Sequence, residues 1–511
     1  MKALSIITIL LATAVHAPAA TLFVDLNSTN PIAPYSDWSL AATNIQDAID
    51  ASTNGDLILV TNGDYRNRIV TTNAITIQSV NGLGVTIIDG NQTNTCATLA
   101  DGSTLIGFTL TNGYSEYAGA GVFCASTNAF VFNCLIISNS VKSIYGFYGA
   151  VYSGTLSNCT ISGNISQYGD GVGAAFAVLN NCTLSGNMVP PVSRGGGAGA
   201  GGGAYECTLN RCVLVGNQAA AGGGACACTL NNCLVANNSA VNELSGFASG
   251  GGFFGCNATN CTIVNNAVYY YPGFTSDASG GGVSGGTSDN CIIYANDIIT
   301  NFLVSLNNYS GGTFNNCCTT PLPANGQNNF TNAPLFLNQN GGDFHLQSNS
   351  PCINSGNNAY VASATDLNGY PRIVGGTVDM GPYEYQTPAS VISYAWLQQY
   401  GLSINTNTDN ADPDGDGLNN WQEWRAGTDP TNALSVLKMA SATPTNNPPG
   451  LVVIWQSVSG IAYFLQSGTN LGAQPAFSTI QSNIPGQTGT TSYTDTNAVG
   501  SGPYFYRVGV Q

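Results

Sequence analysis

Asn158-Cys159-Thr160-Ile161-Ser162-Gly163-Asn164 and Asn181-Cys182-Thr183-Leu184-Ser185-Gly186-Asn187 are two copies of one phrase that decides the fold. Seven copies run from about residue 130 to 296, centred on Cys134, Cys159, Cys182, Cys212, Cys233, Cys261 and Cys291, with steps of 25, 23, 30, 21, 28 and 30 residues. The second residue after each Cys is aliphatic (Ile136, Ile161, Leu184, Leu214, Val235, Ile263, Ile293), and the fifth is Asn (Asn139, Asn164, Asn187, Asn217, Asn238, Asn266, Asn296). Apolar side chains at i and i+2 mark a strand with one buried face. The closing Asn is expected in a tight turn, because its short amide tolerates left-handed dihedrals and bonds the local backbone.

Four copies also carry a glycine triplet (201–203, 222–224, 250–252, 280–282) that begins 11 residues before its Cys. The stretch from glycines to Asn is therefore constant in length, and insertions fall between the Asn and the next glycines. A strand repeat of this period predicts a solenoid. The intervals are too short for helical crossovers, so the chain must coil from strand to turn to strand and stack each coil on the last. The expected fold is all-β: a right-handed parallel β-helix, since strand twist favours that crossover sense.

Charged residues make up only 7% of the 511-residue chain, while hydrophobic residues make up 43% and glycines number 63. That balance is not the low-hydrophobicity, high-charge balance of disorder. A net charge of −16 disfavours nucleic acid as a partner and suits solubility or calcium. Met1-Lys2 and the apolar run Ala3–Val15, followed by Ala17-Pro18-Ala19, read as a secretory signal over 1–19. No later run approaches the length of a membrane span, so a secreted, extracellular or cell-surface location is expected. Sixteen Cys in an exported chain would ordinarily suggest disulfides. Here seven share one column of the repeat, and Cys207, Cys228 and Cys256 form a second. Stacked parallel side chains lack the facing vectors of a disulfide, so these read as buried thiol ladders rather than bridges or Cys-x4-Cys metal sites. Cys96, Cys124, Cys317, Cys318 and Cys352 remain as the places for any bridge.

Four segments follow: the signal, the β-helix over 20–386, a linker over 387–435 and a β-module over 436–511. Ala41–Ile49 has helical apolar spacing and is expected to plug the open end of the solenoid; residues 331–386 form its terminal cap. Asp366, Arg372, Asp379 and Glu384 gather in that cap, either as paired charges ending the last coil or as a catalytic acid cluster. Within the linker, Ala395–Gly401 reads as a short helix ended by Gly. Next comes Asp412-Pro413-Asp414-Gly415-Asp416-Gly417-Leu418-Asn419-Asn420-Trp421-Gln422-Glu423. Its spacing is that of an EF-hand loop: carboxylates from Asp412, Asp414 and Asp416, Gly417 at the bend, the Leu418 carbonyl, Asn420 through water and Glu423 at the twelfth place. Calcium is the cofactor this predicts, acting as a structural clamp. Leu451–Trp455, Ala462–Leu465, Ser492–Thr494 and Tyr504–Val510 alternate as strands of a small β-sandwich.

These residues carry several resemblances. The opening strand, the plug helix and the runs Ile75-Thr76-Ile77-Gln78-Ser79 and Val85-Thr86-Ile87-Ile88-Asp89 resemble pectin-lyase-like right-handed β-helix proteins. The Gly-Gly-Gly-Ala and Cys-Thr-Leu-x-x-Asn phrases are similar to the repeats of polymorphic outer-membrane proteins, with Cys where that family often has Phe. Gly342–Gln347, Ser350–Ile353, Asp366–Arg372 and Val378–Glu384 resemble the closing segment of choice-of-anchor β-helix proteins. The calcium loop is similar to dockerin and thrombospondin type 3 loops, and the last module loosely to fibronectin type III. These resemblances imply a fold and host many functions.

The variable segments carry Tyr145, Tyr148, Tyr168, Tyr269, Tyr270 and Tyr271 among Ser, Asn and Gly. Rings stack on sugar faces and polar neighbours bond hydroxyls, so these are candidate ligand-binding residues, weighed against rings that merely cover their own loops. The expected function is adhesion or polysaccharide binding at a cell-envelope or matrix surface. The alternative is a polysaccharide lyase or glycoside hydrolase on the same scaffold, with Lys142, Arg194, Asp170 or the 366–384 cluster as candidates. No catalytic constellation stands out in the repeat.

Overall fold

The structure, a computed structural model, describes residues 19–142, 148–167, 169–190, 199–242, 248–270, 278–300 and 303–511, with backbone alone at Asn242 and Tyr270. The chain divides into two compact units: residues up to 288 with 293–313, and residues 289–292 with 314–511.

The first unit is a parallel β-solenoid with three faces. On the first face, in-register pairing stacks Leu22, Ile58, Ile77, Leu105, Val131, Leu156, Leu179, Leu209 and Leu230. On the second face the aliphatic position of the repeat forms one column, Ile136, Ile161, Leu184, Leu214, Val235 and Ile263. The third face stacks Ala97, Val122, Val151, Ala174, Ala204, Ala225 and Phe253. All these side chains are buried. Parallel pairing points equivalent residues the same way on every coil, so one apolar position per strand builds a continuous core. The helix Ile45–Ala51, capped by the Asn44 side chain on Asp47 N–H, packs on the first strands and buries Ile45, Ala48 and Ile49.

The corner between the second and third faces is built by asparagine. Asn139, Asn164, Asn187, Asn217, Asn238, Asn266, Asn296 and Asn308 are all buried and stack as a ladder. Asn139 Oδ1, in the first rung, accepts Gly113 N–H at 2.8 Å, and from Asn164 onward each Oδ1 accepts two bonds from the preceding rung. Asn164 Oδ1, for example, takes Asn139 N–H at 2.9 Å and Nδ2–H at 3.0 Å. The second Nδ2 hydrogen goes to a strand carbonyl, as in Asn187 Nδ2 to Ile161 O at 2.9 Å and Asn217 Nδ2 to Leu184 O at 2.9 Å. Every polar atom of the amide is thus paired in a dry interior.

This corrects the expected role of that Asn. The left-handed conformation belongs to its neighbours: the residue before each Cys (Asn133, Asn158, Asn181, Arg211, Asn232, Asn260) and the residue before each ladder Asn (Ser138, Gly163, Gly186, Gly216, Asn237, Asn265) have φ between 51 and 66°. The glycine triplet is explained by the same ladder. A Cβ on Gly203 would lie 3.1 Å from Asn217 Nδ2 and 2.5 Å from Gly224 O. The third glycine makes room for the amide, which ties triplet and Asn to one length.

All sixteen Cys are free and buried, Cys96, Cys124, Cys317, Cys318 and Cys352 among them. In the two ladders, each thiol donates to the carbonyl two residues back, as in Cys212 Sγ to Asn210 O at 3.4 Å and Cys228 Sγ to Cys226 O at 3.2 Å. Cys212 and Cys228 each donate their backbone N–H to the sulfur of the next coil. Burial pushes the Cys207 and Cys228 thiols well above the usual range, which keeps them protonated and inert.

In the second unit, the strands Met439–Asn446, Pro449–Ser457 and Gly489–Asp495 form one antiparallel sheet. Ser478–Pro485, Ala462–Gly468 and Phe505–Val510 form another, and Val453, Trp455, Tyr463, Leu465 and Ile484 fill their core. No described helix is long and apolar enough to cross a membrane.

Asn217→Ala leaves buried partners unpaired on both sides of one rung, and is expected to destabilise the first unit by about 3 kcal/mol or more. Cys212→Ala removes one sulfur from the neighbouring ladder and should cost about 1 kcal/mol. Denaturant melts of the two variants check the ranking; equal losses would contradict it.

Candidate functional site

The constant part of the repeat places a column of aromatic rings on the surface. The outward position of the third face carries Phe123, Tyr152, Ala175 and Tyr205 on successive coils. Phe123 and Tyr152 stack with centroids 5.0 Å apart and planes 9° from parallel. Where the column drops to Ala175, the next residue, Phe176, has φ of 57° and its ring meets Tyr152 at 5.7 Å and Tyr205 at 6.0 Å, edge to face in both cases. Tyr148 completes the group, 4.6 Å from Phe176, 5.7 Å from Tyr152 and 5.9 Å from Tyr205. All five rings are half-buried, leaving part of each open to solvent.

Two carboxyl groups border the rings. Glu206 follows Tyr205 at a corner with φ of 47°, and is exposed. Asp170 is partly buried and accepts Ala200 N–H at 2.6 Å. Burial raises the Asp170 carboxyl above the ordinary range, and the Glu206 charge adds to the rise. Burial raises the Tyr205 and Tyr148 phenols, and both neighbouring acids push the same way. The two acids and the rings therefore share one electrostatic neighbourhood.

Of the rings expected to bind ligand, Tyr148 joins this group. Tyr269 lies elsewhere, 36% exposed on the strand Ala267–Tyr270, which pairs with Ser239–Asn242 and Asp297–Thr300. Tyr145, Tyr168, Tyr271 and the Tyr270 side chain lie outside the described residues, as does Arg194. Lys142 is exposed just after the strand Ser140–Val141. Phe123, Tyr152, Phe176 and Tyr205 escaped the sequence reading, which looked for rings in the insertions. For Phe123, Tyr152 and Tyr205 the signal was the residue two places after the third glycine position of the coil; Phe176 sits one residue beyond it.

The acids of 366–384, in the second unit, are consumed by structure. Arg372 is 1% exposed and pairs with Glu384 Oε2 at 3.0 Å, while its Nη2 donates to the carbonyls of Asp379 and Gly381. Glu384 also accepts the N–H groups of Val374 and Asp379, Asp379 those of Asn354 and Tyr385, and Asp366 those of Asn368, Tyr370 and Glu384. Closed inward on backbone groups, these side chains offer a substrate nothing. His345 is held likewise, by Asp343 at 2.6 Å, Asn368 at 2.6 Å and the Tyr383 ring at 4.1 Å.

The loop 412–423 gathers its acidic side chains. Carboxylate oxygens of Asp412, Asp414 and Asp416 lie within 4.8 Å of one another, and among the described residues this is the one acidic group so disposed. Asp412 is oriented by Gly415 N–H at 2.8 Å and Gly417 N–H at 3.0 Å, and Asp416 by Leu418 N–H at 2.8 Å. The helix Asn420–Ala426 opens with an Asn419–Gln422 capping box and ends at Gly427, φ 71°, which fixes Glu423 facing inward and fully buried. Four buried oxygens of this loop have no partner: Asp414 Oδ2, Asp416 Oδ2, Asn420 Oδ1 and Glu423 Oε2. Burial, with the charges of Asp414 and Asp416, raises Glu423 to about 7. Unpaired oxygens and crowded like charges are costly unless a hard cation joins them, so the residues fit calcium. Asn420 Nδ2 is bound to Thr408 O at 2.7 Å, which leaves its oxygen for the ion or its water.

No family model matches the chain, and no curated protein matches it. Among solved structures it is similar to the pectate lyase Pel9A, with 13% identity, a TM-score of 0.38, and coverage of 72% of this chain and 97% of that one. A pectin methylesterase from Aspergillus niger shares 13% identity over 63% of this chain and 93% of that one, TM-score 0.25. A tailspike protein of Acinetobacter baumannii bacteriophage Fri1, a capsular polysaccharide depolymerase, shares 11% identity over 97% of this chain and 86% of that one, TM-score 0.28. Similarity this low transfers no activity; the parallel β-helix stands on the strand register itself.

Folding raises Glu423 from 4.5 to about 7, so the metal-free fold holds a proton that the unfolded chain releases earlier. Stability of the calcium-free protein should accordingly fall as pH rises from about 5 to about 7, and saturating calcium should abolish most of that fall. Thermal melts with calcium and with chelator across this range check it; identical pH profiles in both would contradict it.

Proposed function

We propose that this chain is an exported polysaccharide-binding β-helix protein that works in adhesion at a cell-envelope or matrix surface. The observation that supports this most is the contiguous, half-exposed group of Phe123, Tyr148, Tyr152, Phe176 and Tyr205 on an extended parallel sheet. A polysaccharide presents repeated apolar ring faces edged with hydroxyls. A row of rings stepped by one coil spacing, with carboxylates at its edge, complements such a chain. The leader-like residues 1–19 and the low content of basic residues agree with export and with a non-nucleic-acid partner. Calcium in the 412–423 loop would act as a clamp that holds the linker folded.

One observation favours a second reading. Asp170 has a raised pKa beside a second carboxyl group, Glu206, and both border the same rings. Hydrolysis of a glycosidic bond commonly uses two carboxyl groups, one as acid and one as base or nucleophile. On this reading Asp170 is the proton donor and Glu206 the base or nucleophile, in a glycoside hydrolase using the same binding face.

Incubating the mature protein with neutral and acidic polysaccharides, then sizing the polymer and measuring retention, separates the readings. Binding without shortening is expected, and Tyr152→Ala should weaken retention by about tenfold. New short products lost in Asp170→Asn would replace the adhesion reading with the hydrolase. Retention unchanged in Tyr152→Ala and Tyr148→Ala would remove the ring face from both.

A further inference from the structure

The second unit contains a cleft of about 790 Å³ that no part of the reading above uses. Its lining is dominated by amides, seven asparagines and two glutamines, together with the rings of Trp396, Tyr400 and Trp424. Arg425 is the one charged residue in the lining, and no carboxylate is present. The Arg425 guanidinium already donates to Gln511 O at 2.9 Å, so it is not an uncommitted anion site.

Each ring is carried on a fixed helix. Trp396 and Tyr400 lie four residues apart at the helix Tyr394–Gln399 and its C-cap, with centroids 4.9 Å apart. Trp424 sits on Asn420–Ala426, which is locked by its capping box and by the buried Glu423 and Ala426 on either side of Trp424 and Arg425. Trp396, Tyr400 and Trp424 are half-buried, so each keeps an open part. Two amides of the lining also carry an unmet demand. Asn354 is 0% exposed; its Nδ2 donates to Ser390 O at 2.7 Å, and its Oδ1 has no partner. Asn316, 7% exposed, likewise has an unpartnered Oδ1. A buried amide oxygen without a donor is costly.

We propose that this cleft binds a neutral oligosaccharide. Rings supply stacking faces, and each amide both donates and accepts, which is what a hydroxyl needs from its neighbours. The volume is in the range of sites that enclose small ligands. A polyanion has little to hold it here, because the one cation is engaged and the chain carries a net charge of −16. The site shares no residue with the ring face of the first unit, so the chain has two separate carbohydrate-binding surfaces.

The test is calorimetry and tryptophan fluorescence on the full mature chain with calcium, titrated with hexasaccharides of neutral glucans, mannans, galactans and xylans, and with hexagalacturonate. At least one neutral hexasaccharide should bind and shift the emission. Trp396→Ala and Trp424→Ala should each weaken that binding by about tenfold or more. Trp424→Phe, which keeps a ring on the helix and protects the fold, should weaken it by about threefold. Run in a Tyr152→Ala background, which removes the ring face of the first unit, the emission shift and its loss in Trp396→Ala and Trp424→Ala should persist, so failure of the cleft and failure of the ring face are read separately. Absence of binding by every neutral sugar, preference for the acidic one, or full affinity in a folded Trp396→Phe/Trp424→Ala variant would overturn the proposal.

Discussion

From Asn139 onward the solenoid depends on one constraint: at each coil a buried asparagine bonds the asparagine of the next coil with both its backbone N–H and its side-chain amide. The ladder from Asn139 to Asn308 leaves no polar atom of these amides idle, and it runs through a corner where strands end and ladder hydrogen bonds would otherwise fail. In water an amide bond of this kind is worth little net; in a dry corner a missing one costs the full desolvation of its partner. The glycine triplets, the left-handed residues beside each Cys and Asn, and the constant spacing between triplet and Asn all follow from fitting that amide against the backbone of the neighbouring strand. The thiol ladders sit at other corners and do a weaker version of the same work, with sulfur accepting from the preceding coil and donating two residues back.

Because the ladder holds the coil length constant on one stretch, insertion is permitted only between the Asn and the next glycines. That division separates two kinds of surface. The constant stretch presents in-register columns, and side chains on them align with the coil spacing; Phe123, Tyr152 and Tyr205 belong there. The insertions present whatever their own length allows. A polymer with a regular repeat is met better by a regular column than by independent loops, and the ring face is built on such a column, with Tyr148 the ring an insertion adds to it.

The period, the buried columns and the coil division were legible because β-helix repeats print their register directly in sequence: one aliphatic position, one Cys, one Asn. The acidic cluster of 412–416 was legible for a similar reason, since Asp412, Asp414 and Asp416 lie within five consecutive residues and the fold brings their carboxylates together. The role of the repeat Asn was misread. Asn is common at left-handed corners for local reasons, and nothing within one copy distinguishes a turn amide from a rung whose partners are 21 to 30 residues away. Asp170 and Glu206 were read as scattered acids because they occupy different places in their own coils; stacking brings both to the same rings. Composition flagged the charges of 366–384, but only burial shows that Arg372 and Glu384 are closed on each other. The cleft around Trp396 and Trp424 joins residues from 316 to 427, a span no local pattern covers.

Hydrogen exchange on the native protein tests the asparagine ladder most directly, because it reads each coil separately. If the ladder is the constraint that holds the coils together, the amides of Asn164, Asn187, Asn217, Asn238 and Asn266 and of the glycines facing them exchange only on cooperative opening of the solenoid, with one shared and slowest rate. Exchange of these amides at rates scattered from coil to coil, or faster than the amides of the flanking strands, would contradict the account.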